Sequence, residues 1–446
     1  MSSWSVTGLW AVTGKDMKVG ILTMFGGLAT IYSLVNVVAE HIRMLLEAGI
    51  EVKLLVCEDL PDSEKHGIYL DPRIEWSKVC NRYMGKQIHW RDYSSPDTPV
   101  HPELLWEAEA VGEDMAEKLR DVEVCMMHDI HYQGWHLLHN LAVRHAAGKL
   151  PKLRFIAVTH SLPDESQHDK EISWPHSARY SPMKNTIYTY PTECGLPSLS
   201  RQYHVPLKKC RVLNNTLDLI GHMSDQIKEL HTRTDLLSPD LLIVYPARFT
   251  TGKRFEKVAM LSGAIKRVSK YSVKVIFCEF EAMDTDMKEY KRYIIEAGSS
   301  AGLAREDMVF TSDCGYPMGI TRDSVLELFS LSNLFICPSV SESFGLTALE
   351  AAAMGNYLVL NECVPALKEL GDTLHAYFMR WDASNFGFFT TESYYPSEMA
   401  YYEEHGQRIV GEMRQNPVVQ ARMQARKRYS PQWVFKYQLK KMLKSE

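Results

Sequence analysis

The chain has 446 residues, of which 45% are hydrophobic and 24% charged, and its formal net charge is -5. That length exceeds what one compact core usually serves and predicts two domains of about 200 residues each. The slightly negative charge provides no general attraction to nucleic acid or to an anionic membrane surface. Bulk charge therefore excludes neither an enzyme nor a binding protein, but it gives no support to nucleic acid as a partner.

Three features of the chain predict a cytoplasmic location. Residues 1–16 contain neither an early positive cluster nor an apolar run long enough for a signal peptide, and we read them as an N-terminal tail of no assigned function. No stretch of about 20 consecutive apolar residues occurs anywhere, so no integral membrane contact is expected. The nine cysteines occur singly along the chain, which favours a reducing compartment over a disulfide framework.

Residues 17–213 alternate between buried strands and helices, which predicts right-handed crossovers and a parallel sheet. Gly49 follows the first helix at the position of a C-terminal glycine. The predicted elements are strands at Val19 to Met24, Glu51 to Cys57, Val122 to Met127 and Arg154 to Thr159, and a helix from about Ile31 to Ala48. We expect these residues to form a first α/β domain.

Residues 214–428 repeat the scheme and predict a second α/β domain. Its strands are predicted at Leu241 to Tyr245, Val273 to Cys278, Met308 to Thr311, Leu334 to Cys337 and Tyr357 to Leu360. Because the two domains share one scheme, the cleft between them would receive the strand ends of both sheets, and such clefts are common ligand sites.

The segment Asn333 to Gly355 carries the strongest functional signal. It reads NLFICPSVSESFGLTALEAAAMG, an apolar strand followed by a short polar loop, Gly345 and an Ala-rich helix. A glycine at a helix N-terminus exposes backbone N–H groups that attract a phosphate. Glu342 and Glu350 flank this position, and carboxylates suit hydroxyl groups better than phosphates. A phosphate between polyols describes a nucleotide sugar, although two solvated glutamates would give the same pattern.

A second segment, Leu241 to Phe255, supports the nucleotide sugar. It reads LLIVYPARFTTGKRF, so Arg248 and Lys253 follow a fully apolar strand in a loop that contains glycine and threonine. Such loops lie at the carboxyl edge of a parallel sheet, where open α/β folds bind ligands. The two cationic side chains would neutralise a diphosphate. The alternative is a solvated basic loop.

Together these segments resemble the family-4 retaining glycosyltransferases (glycosyltransferase group 1 type), which have the GT-B architecture. Glu342 and Glu350 match the family's pair of glutamates with seven residues between them, and Arg248 and Lys253 match its Arg-x-x-x-x-Lys pattern. Further matches, which extend the resemblance over nearly the whole chain, are the strand and glycine turn Lys18 to Gly27, the junction VLNNTLD at Val212 to Asp218, and the final helix Tyr429 to Leu443.

The resemblance implies two Rossmann-like domains that face each other across a cleft. It also implies a C-terminal helix within residues 429–446 that crosses back to the first domain. It implies a retaining hexosyl or related transfer (EC 2.4 class) from a nucleotide-diphosphate sugar to a hydroxyl acceptor, with no metal and no cofactor. The catalytic residues would be Glu342, Arg248, Lys253 and His160. Glu342 would contact the transferred sugar and Glu350 the ribose. The implied donor-binding residues are Gly26, Gly27, Ser343, Phe344, Gly345, Leu346, Thr347 and Glu350.

Histidines near two predicted strand ends mark the expected acceptor side. His160 follows the strand Arg154 to Thr159, where the resemblance implies a histidine close to the anomeric carbon. His128 and Asp129 end the preceding strand and are candidates to face the acceptor. We predict no metal among His128, His131, His136 and His139, because their spacings fit no single helical face and no cysteine or carboxylate set completes a site.

The chain departs from the family pattern at three places, which are the turn after the strand Val273 to Cys278, Asn215 where a glycine is usual, and the segment Thr186 to Ser200. Glu279, Phe280 and Glu281 follow the strand Val273 to Cys278, where many family members have a Gly-x-Gly turn. Asp284 and Asp286 form the Asp-x-Asp triplet that binds metal in the other major glycosyltransferase fold. This triplet precedes a predicted helix in a charged stretch, so we interpret it as a solvated helix start.

Two other functions remain open from the sequence. A nucleotide-sugar epimerase has a similar fold, and a nucleotide-sugar-binding scaffold would need no turnover. The combination of Arg248, Lys253 and Glu342 favours transfer over both. The acceptor is not identified by the sequence, and hydroxymethylated phage DNA stays among the alternatives.

Overall fold

The computed structural model describes residues 17–79, 101–131, 137–161, 174–280, 286–381 and 395–444. The chain divides into two compact units. Among the described residues, 217–430 form one unit, and 17–216 form the other together with the C-terminal segment from Pro431. The two units are called the second and the first domain below, in the order of their sheets along the chain.

The first domain contains a seven-stranded sheet in the order β3-β2-β1-β4-β5-β6-β7, and every neighbouring pair is parallel. Its strands are β1 Lys18–Leu22, β2 Glu51–Val56, β3 Ile74–Lys78, β4 Val124–His128, β5 Arg154–Val158, β6 Thr186–Tyr190 and β7 Cys210–Val212. The chain reverses its direction of strand addition between β1 and β4, which is the topological switch point of a Rossmann-like sheet.

Helices cover this sheet and bury its central strands. They are α1 Ser33–Glu47, α2 Pro102–Lys118, α3 Leu137–Lys149 and α4 Leu196–Gln202. Val35, Val38, Ile42 and Leu45 form the buried stripe of α1 at helical spacing. Gly49 has a φ of +74°, which confirms the glycine predicted after this helix.

The second domain has a six-stranded parallel sheet in the order β10-β9-β8-β11-β12-β13. The strands are β8 Leu241–Arg248, β9 Val273–Phe280, β10 Met308–Phe310, β11 Leu334–Cys337, β12 Tyr357–Asn361 and β13 Tyr377–Met379. The switch point lies between β8 and β11, which pair through Ile243 and Leu334. The long apolar runs of β8 and β11 are fully buried, as expected for parallel strands covered on both faces.

The helices of the second domain connect its strands and continue past the last one. They are α5 Asp225–Arg233, α6 Phe255–Ser269, α7 Met287–Ala301, α8 Arg322–Leu331, α9 Leu346–Ala353, α10 Pro365–Leu374, α11 Glu398–Gln415 and α12 Pro417–Arg428. Both strand orders thus confirm the predicted class of two Rossmann-like α/β domains.

The C-terminal segment packs against the first domain although it follows the second in sequence. It consists of α13 Pro431–Val434, a π-helical turn Phe435–Leu439 and α14 Lys440–Lys444. Val434, Phe435 and Leu439 are fully buried in the cluster that also contains Val19 and Ile21 of β1. Before this segment, Asn214 contacts it at the domain junction: the Asn214 backbone N–H donates to Gln438 Oε1 at 2.8 Å.

Four strands were not predicted from the sequence. β7 and β13 have three residues each, and β3 lies at the edge of its sheet with a mostly polar sequence, IEWSK. β6, TIYTY, begins the segment Thr186 to Ser200, for which no strand was predicted. Short or alternating strands of this kind carry a weak periodic signal, and pairing with a neighbour decides their conformation.

Candidate functional site

The two loops at the switch point of the second sheet are joined to each other. One follows β8 and the other follows β11. The Val340 backbone N–H donates to the carbonyl of Gly252 at 3.0 Å, which links them directly. Arg248 is the last residue of β8, and its side chain is exposed at this edge. The carboxyl edge of a doubly wound sheet at its switch point is where such folds bind ligands.

Lys253 and Glu342 form an ion pair across these two loops. Lys253 Nζ lies 2.5 Å from Glu342 Oε1, and the two side chains are 26% and 19% exposed. The Tyr245 hydroxyl donates to the Lys253 carbonyl at 2.6 Å and so holds the backbone beneath the lysine. An ammonium has three donors, so Lys253 can keep Glu342 and still bind an anion.

Gly345 is the N-cap of α9, the helix that carries Glu350. It has φ +92° and ψ +44°, and a Cβ there would lie 2.9 Å from Leu367 Cδ2. Both the left-handed backbone and the close side chain favour glycine. No side chain caps α9 within the described structure, so the first N–H groups of this helix are available to an anion. Among the other predicted donor residues of this turn, Ser343, Phe344 and Leu346 are exposed and Thr347 is half-buried.

Glu350 lies further along α9 and already has a cationic partner that the sequence did not suggest. Arg322, at the start of α8, contacts Glu350 Oε1 through Nε at 2.7 Å and through Nη2 at 2.6 Å. Both contacts use Oε1, so Oε2 can accept a further hydrogen bond. Arg322 lies 28 residues before Glu350 in a different helix, and no local pattern connects the two residues.

Glu279 links the end of β9 to the residues that follow β10 through buried hydrogen bonds. It is fully buried at the end of β9 and accepts from Thr311, whose backbone N–H lies 3.0 Å from Oε2, and from the Ser312 hydroxyl at 2.5 Å. Burial raises the pKa of Glu279. This side chain anchors the turn after β10. Glu279 is thus engaged within the domain at the place where a Gly-x-Gly turn was considered. Phe280, next to it, is exposed, and Glu281 lies outside the described residues.

Asp286 is the N-cap of α7, as a helix start requires. Its carboxylate accepts from the backbone N–H groups of Lys288 and Glu289. Asp284 lies outside the described residues. The described half of the Asp-x-Asp triplet is thus engaged in capping a helix.

The switch point of the first sheet has an open glycine turn. Gly26 and Gly27 follow β1, and neither has a positive φ. A Cβ at Gly26 would meet nothing closer than Glu58 Cγ at 3.8 Å, and one at Gly27 would meet nothing within 4 Å. The protein's own backbone and packing therefore do not require glycine at either position. Small residues here leave the backbone accessible from outside.

His128, Asp129 and His160 meet at the ends of β4 and β5. His128 Nδ1 lies 3.0 Å from His160 Nε2, with the ring planes 15° apart. The His160 backbone N–H donates to Asp129 Oδ1 at 2.9 Å. Asp129 adopts a φ of +59° and is 9% exposed. A left-handed backbone in a residue other than glycine is strained, and such strain is concentrated at functional sites.

This group of histidines is largely buried, which favours the uncharged form of each ring. His41 of α1 packs against His128 with ring centroids 5.3 Å apart, and His131 bonds to the Thr159 hydroxyl at 3.0 Å. Burial lowers the pKa of His160 to about 4 and those of His41 and His131 to about 3, and it lowers the pKa of His128 well below its ordinary value. His41 was not among the predicted site residues, although a histidine within an apolar helical stripe is a recognisable signal.

Within the residues that the structure describes, no group of three or more histidine, cysteine or acidic side chains could hold a metal ion. His136, one of the four histidines weighed as ligands, lies outside them. In the same residues, no helix has both the length and the apolar composition needed to cross a bilayer.

No family model and no curated protein matches this chain. Solved structures do match along its length. A glycosyltransferase from Rickettsia africae is 12% identical with a TM-score of 0.33, covering 97% of each chain. The Candida albicans trehalose-6-phosphate phosphatase N-terminal domain is 13% identical with a TM-score of 0.39, covering 97% of this chain and 98% of its own.

A third similar structure is Anabaena HepE in complex with UDP and glucose. It is 12% identical with a TM-score of 0.33, and the match covers 97% of this chain and 100% of that one. At such TM-scores these similarities carry no argument about chemistry or residue roles. The fold assignment rests on the two strand orders.

Proposed function

We propose that this protein is a retaining glycosyltransferase that moves a sugar from a nucleotide-diphosphate sugar to a hydroxyl acceptor without a metal. The observation that carries the proposal is the Lys253 and Glu342 pair at the switch point of the second sheet, beside the open N-terminus of α9. The proposal is supported by the chemistry of these groups, because a cation and backbone N–H groups suit a diphosphate and a nearby carboxylate suits sugar hydroxyls.

In this mechanism the second domain binds the donor. Lys253, the exposed Arg248 and the α9 N–H groups stabilise the negative charge that develops on the departing diphosphate. Glu342 accepts hydrogen bonds from hydroxyls of the transferred sugar through the oxygen that Lys253 leaves open. Glu350 accepts from the ribose through Oε2 while Arg322 holds Oε1. Fixed cations supply the charge that a metal would otherwise provide.

The transfer itself exchanges one bond for another at the anomeric carbon. The acceptor oxygen bonds to that carbon on the face from which the diphosphate leaves, the bond from carbon to phosphate oxygen breaks, and the acceptor proton passes to the departing phosphate. His160, neutral at physiological pH because its pKa is about 4, serves as a hydrogen-bond donor near the reacting sugar. Attack on the leaving-group face preserves the anomeric configuration.

The first test is a thermal-shift panel of nucleoside diphosphates and nucleotide sugars, with and without EDTA. A ligand at 100 times its dissociation constant stabilises the state that binds it by roughly 2.7 kcal/mol. We expect a shift with one nucleotide that EDTA leaves unchanged and that Arg248→Ala removes. The matched control is Arg408→Ala, which alters an exposed arginine paired with Glu404 on α11. Absence of a shift with every nucleotide would refute the donor site.

Product analysis separates the candidate activities. Incubation with the donor thus identified and a panel of alcohols, sugars, lipids and hydroxymethylated DNA should release nucleoside diphosphate and yield a glycosylated acceptor. The anomeric configuration of the product, measured by NMR, tests retention. An isomerised nucleotide sugar in place of a glycosylated acceptor would indicate an epimerase, and binding without any turnover would indicate a scaffold.

A further inference from the structure

The contact between His128 and His160 restricts where their protons can be. His128 is the last residue of β4 and is paired with Val158, the last residue of β5. His160 lies two residues beyond Val158. The two rings meet through His128 Nδ1 and His160 Nε2 at 3.0 Å. A hydrogen bond between two imidazoles needs one N–H and one bare nitrogen, so one ring must donate and the other accept.

Burial decides which ring donates. Within the described residues, neither His128 Nε2 nor His41 Nδ1 has a hydrogen-bond partner. His128 is 1% exposed and lies against the His41 ring. If His160 donated through Nε2, neutral His128 would carry its own proton on Nε2, as a buried N–H without an acceptor. Such orphan donors are rare in folded proteins. If His128 donates through Nδ1, its Nε2 is bare and no buried donor is orphaned.

We propose that His128 is a positioning residue that donates Nδ1–H to His160 Nε2 and so holds His160 as its Nδ1–H tautomer. His160 then carries its N–H on Nδ1, where the opposite tautomer would have a bare nitrogen. Asp129 fixes the backbone of His160, because Asp129 Oδ1 accepts a hydrogen bond from the His160 N–H at 2.9 Å. This inference rests on the proposed function only for the role of His160 toward substrate.

The backbone and the ring of His160 are thus held by two consecutive residues at the end of β4. Buried networks of this kind are specific because every donor must find an acceptor. The pKa of His160, lowered by burial, keeps the ring neutral, and a neutral ring has a choice of tautomer for His128 to fix. The donor on His160 is therefore a property of the pair.

The test is a direct measurement of the tautomer by NMR, using protein labelled with nitrogen-15 in histidine. The ring nitrogens of His160 are assigned by their loss in His160→Gln. We expect the Nδ1–H form in the wild type and the Nε2–H form, which free histidine prefers, in His128→Leu. His128→Asn, whose amide can donate from the same place as Nδ1, should restore the Nδ1–H form. His41→Leu is the matched control, since it removes a buried histidine that does not bond to His160.

Steady-state kinetics supply a second readout once the donor is known. Losing one oriented hydrogen bond of about 1.4 kcal/mol should lower kcat/KM about tenfold in His128→Leu. If His128 acts through His160, the double variant should be no slower than His160→Gln alone. An Nε2–H tautomer in the wild type, or one that His128→Leu leaves unchanged, overturns the inference. The tautomer does not depend on turnover, so failure of every nucleotide sugar would refute the proposed function alone.

Discussion

At the scale of single residues, the pair of Lys253 and Glu342 has two separable tasks. The ammonium lies where a diphosphate would be neutralised, and the carboxylate lies where sugar hydroxyls would be held. Both side chains are partly exposed, so their mutual attraction contributes little to folding. Their effect should therefore appear in binding and turnover, with little change in stability.

Glu342→Gln tests this division. Removing the charge keeps the shape of the side chain and leaves Lys253 free to bind phosphate, so affinity for the nucleoside diphosphate should be retained. Turnover should fall by about 100-fold, because interactions that strengthen in the transition state affect kcat. Calorimetry measures the first quantity and a coupled diphosphate assay the second. Equal losses of affinity and turnover would contradict the assignment of Glu342 to the sugar.

At the scale of elements, the start of α9 depends on one backbone conformation. Gly345 has a φ of +92°, and the space for its Cβ is occupied by Leu367 of α10. The turn that presents the N–H groups of α9 thus requires glycine for reasons internal to the fold. A change there should alter both folding and anion binding.

Gly345→Ala should destabilise the second domain by about 1 to 3 kcal/mol, because the left-handed backbone and the contact with Leu367 both oppose a methyl group. Gly411→Ala is the matched control. Gly411 lies within α11, and a Cβ there would meet nothing within 4 Å, so alanine should be neutral or slightly stabilising. Chemical denaturation measures both. Equal effects at the two positions would contradict the proposed strain.

The ends of β4 and β5 carry a different element-scale property, a dependence of stability on pH. His41, His131 and His160 have folded pKa values of about 3, 3 and 4, all below their ordinary 6.5. The folded state therefore binds fewer protons than the unfolded chain once the pH is below 6.5. The contribution of these three histidines to the stability of the first domain is fully present above pH 6.5. It is lost as the pH falls toward 4 and 3.

We expect the loss between pH 6.5 and pH 4 to be of the order of several kcal/mol, since each pKa unit is worth about 1.4 kcal/mol. His41→Leu removes one of these groups. It should lower the number of protons taken up on unfolding by up to one, and the free energy of unfolding should then depend less steeply on pH. His101→Gln, which alters an exposed histidine before α2, should leave the slope unchanged. Urea unfolding at several pH values gives the slopes. A wild-type midpoint that is flat down to pH 4.5 would contradict the expectation.

At the scale of the whole molecule, the last residues of the chain complete the core of its first domain. Val434, Phe435 and Leu439 are fully buried against β1, more than 400 residues earlier in sequence. The first domain therefore cannot finish folding until the C-terminal segment has been made. The chain passes through the second domain and then returns.

Phe435→Ala should destabilise the first domain by about 3 to 5 kcal/mol through the cavity that it leaves. Lys441→Ala, at an exposed position of the same segment, should have little effect. Hydrogen exchange followed by mass spectrometry should locate the loss in residues 17–216 and leave the second domain protected. Loss of protection confined to the C-terminal segment would contradict this dependence.

Much of this architecture could be predicted from local patterns in the sequence. The apolar runs of the central strands, Gly49 after the first helix, Asp286 before α7 and Gly345 before α9 each follow from near neighbours in sequence, because strand burial, caps and left-handed turns have local signatures. Loops after parallel strands share one sheet edge, so the sequence also predicted that Lys253 and Glu342 lie at the same edge.

The remaining features depended on contacts between distant residues. The pairing of Arg322 with Glu350, the burial of His41 beside His128 and the anchoring role of Glu279 join residues that no local pattern connects. The short strands β7 and β13 likewise form through pairing with neighbours. The sequence determined the two-domain class and the glycine and charged positions of the candidate site. Only the tertiary structure decided which side chains neutralise each other, because that depends on which ends of distant elements meet in the folded chain.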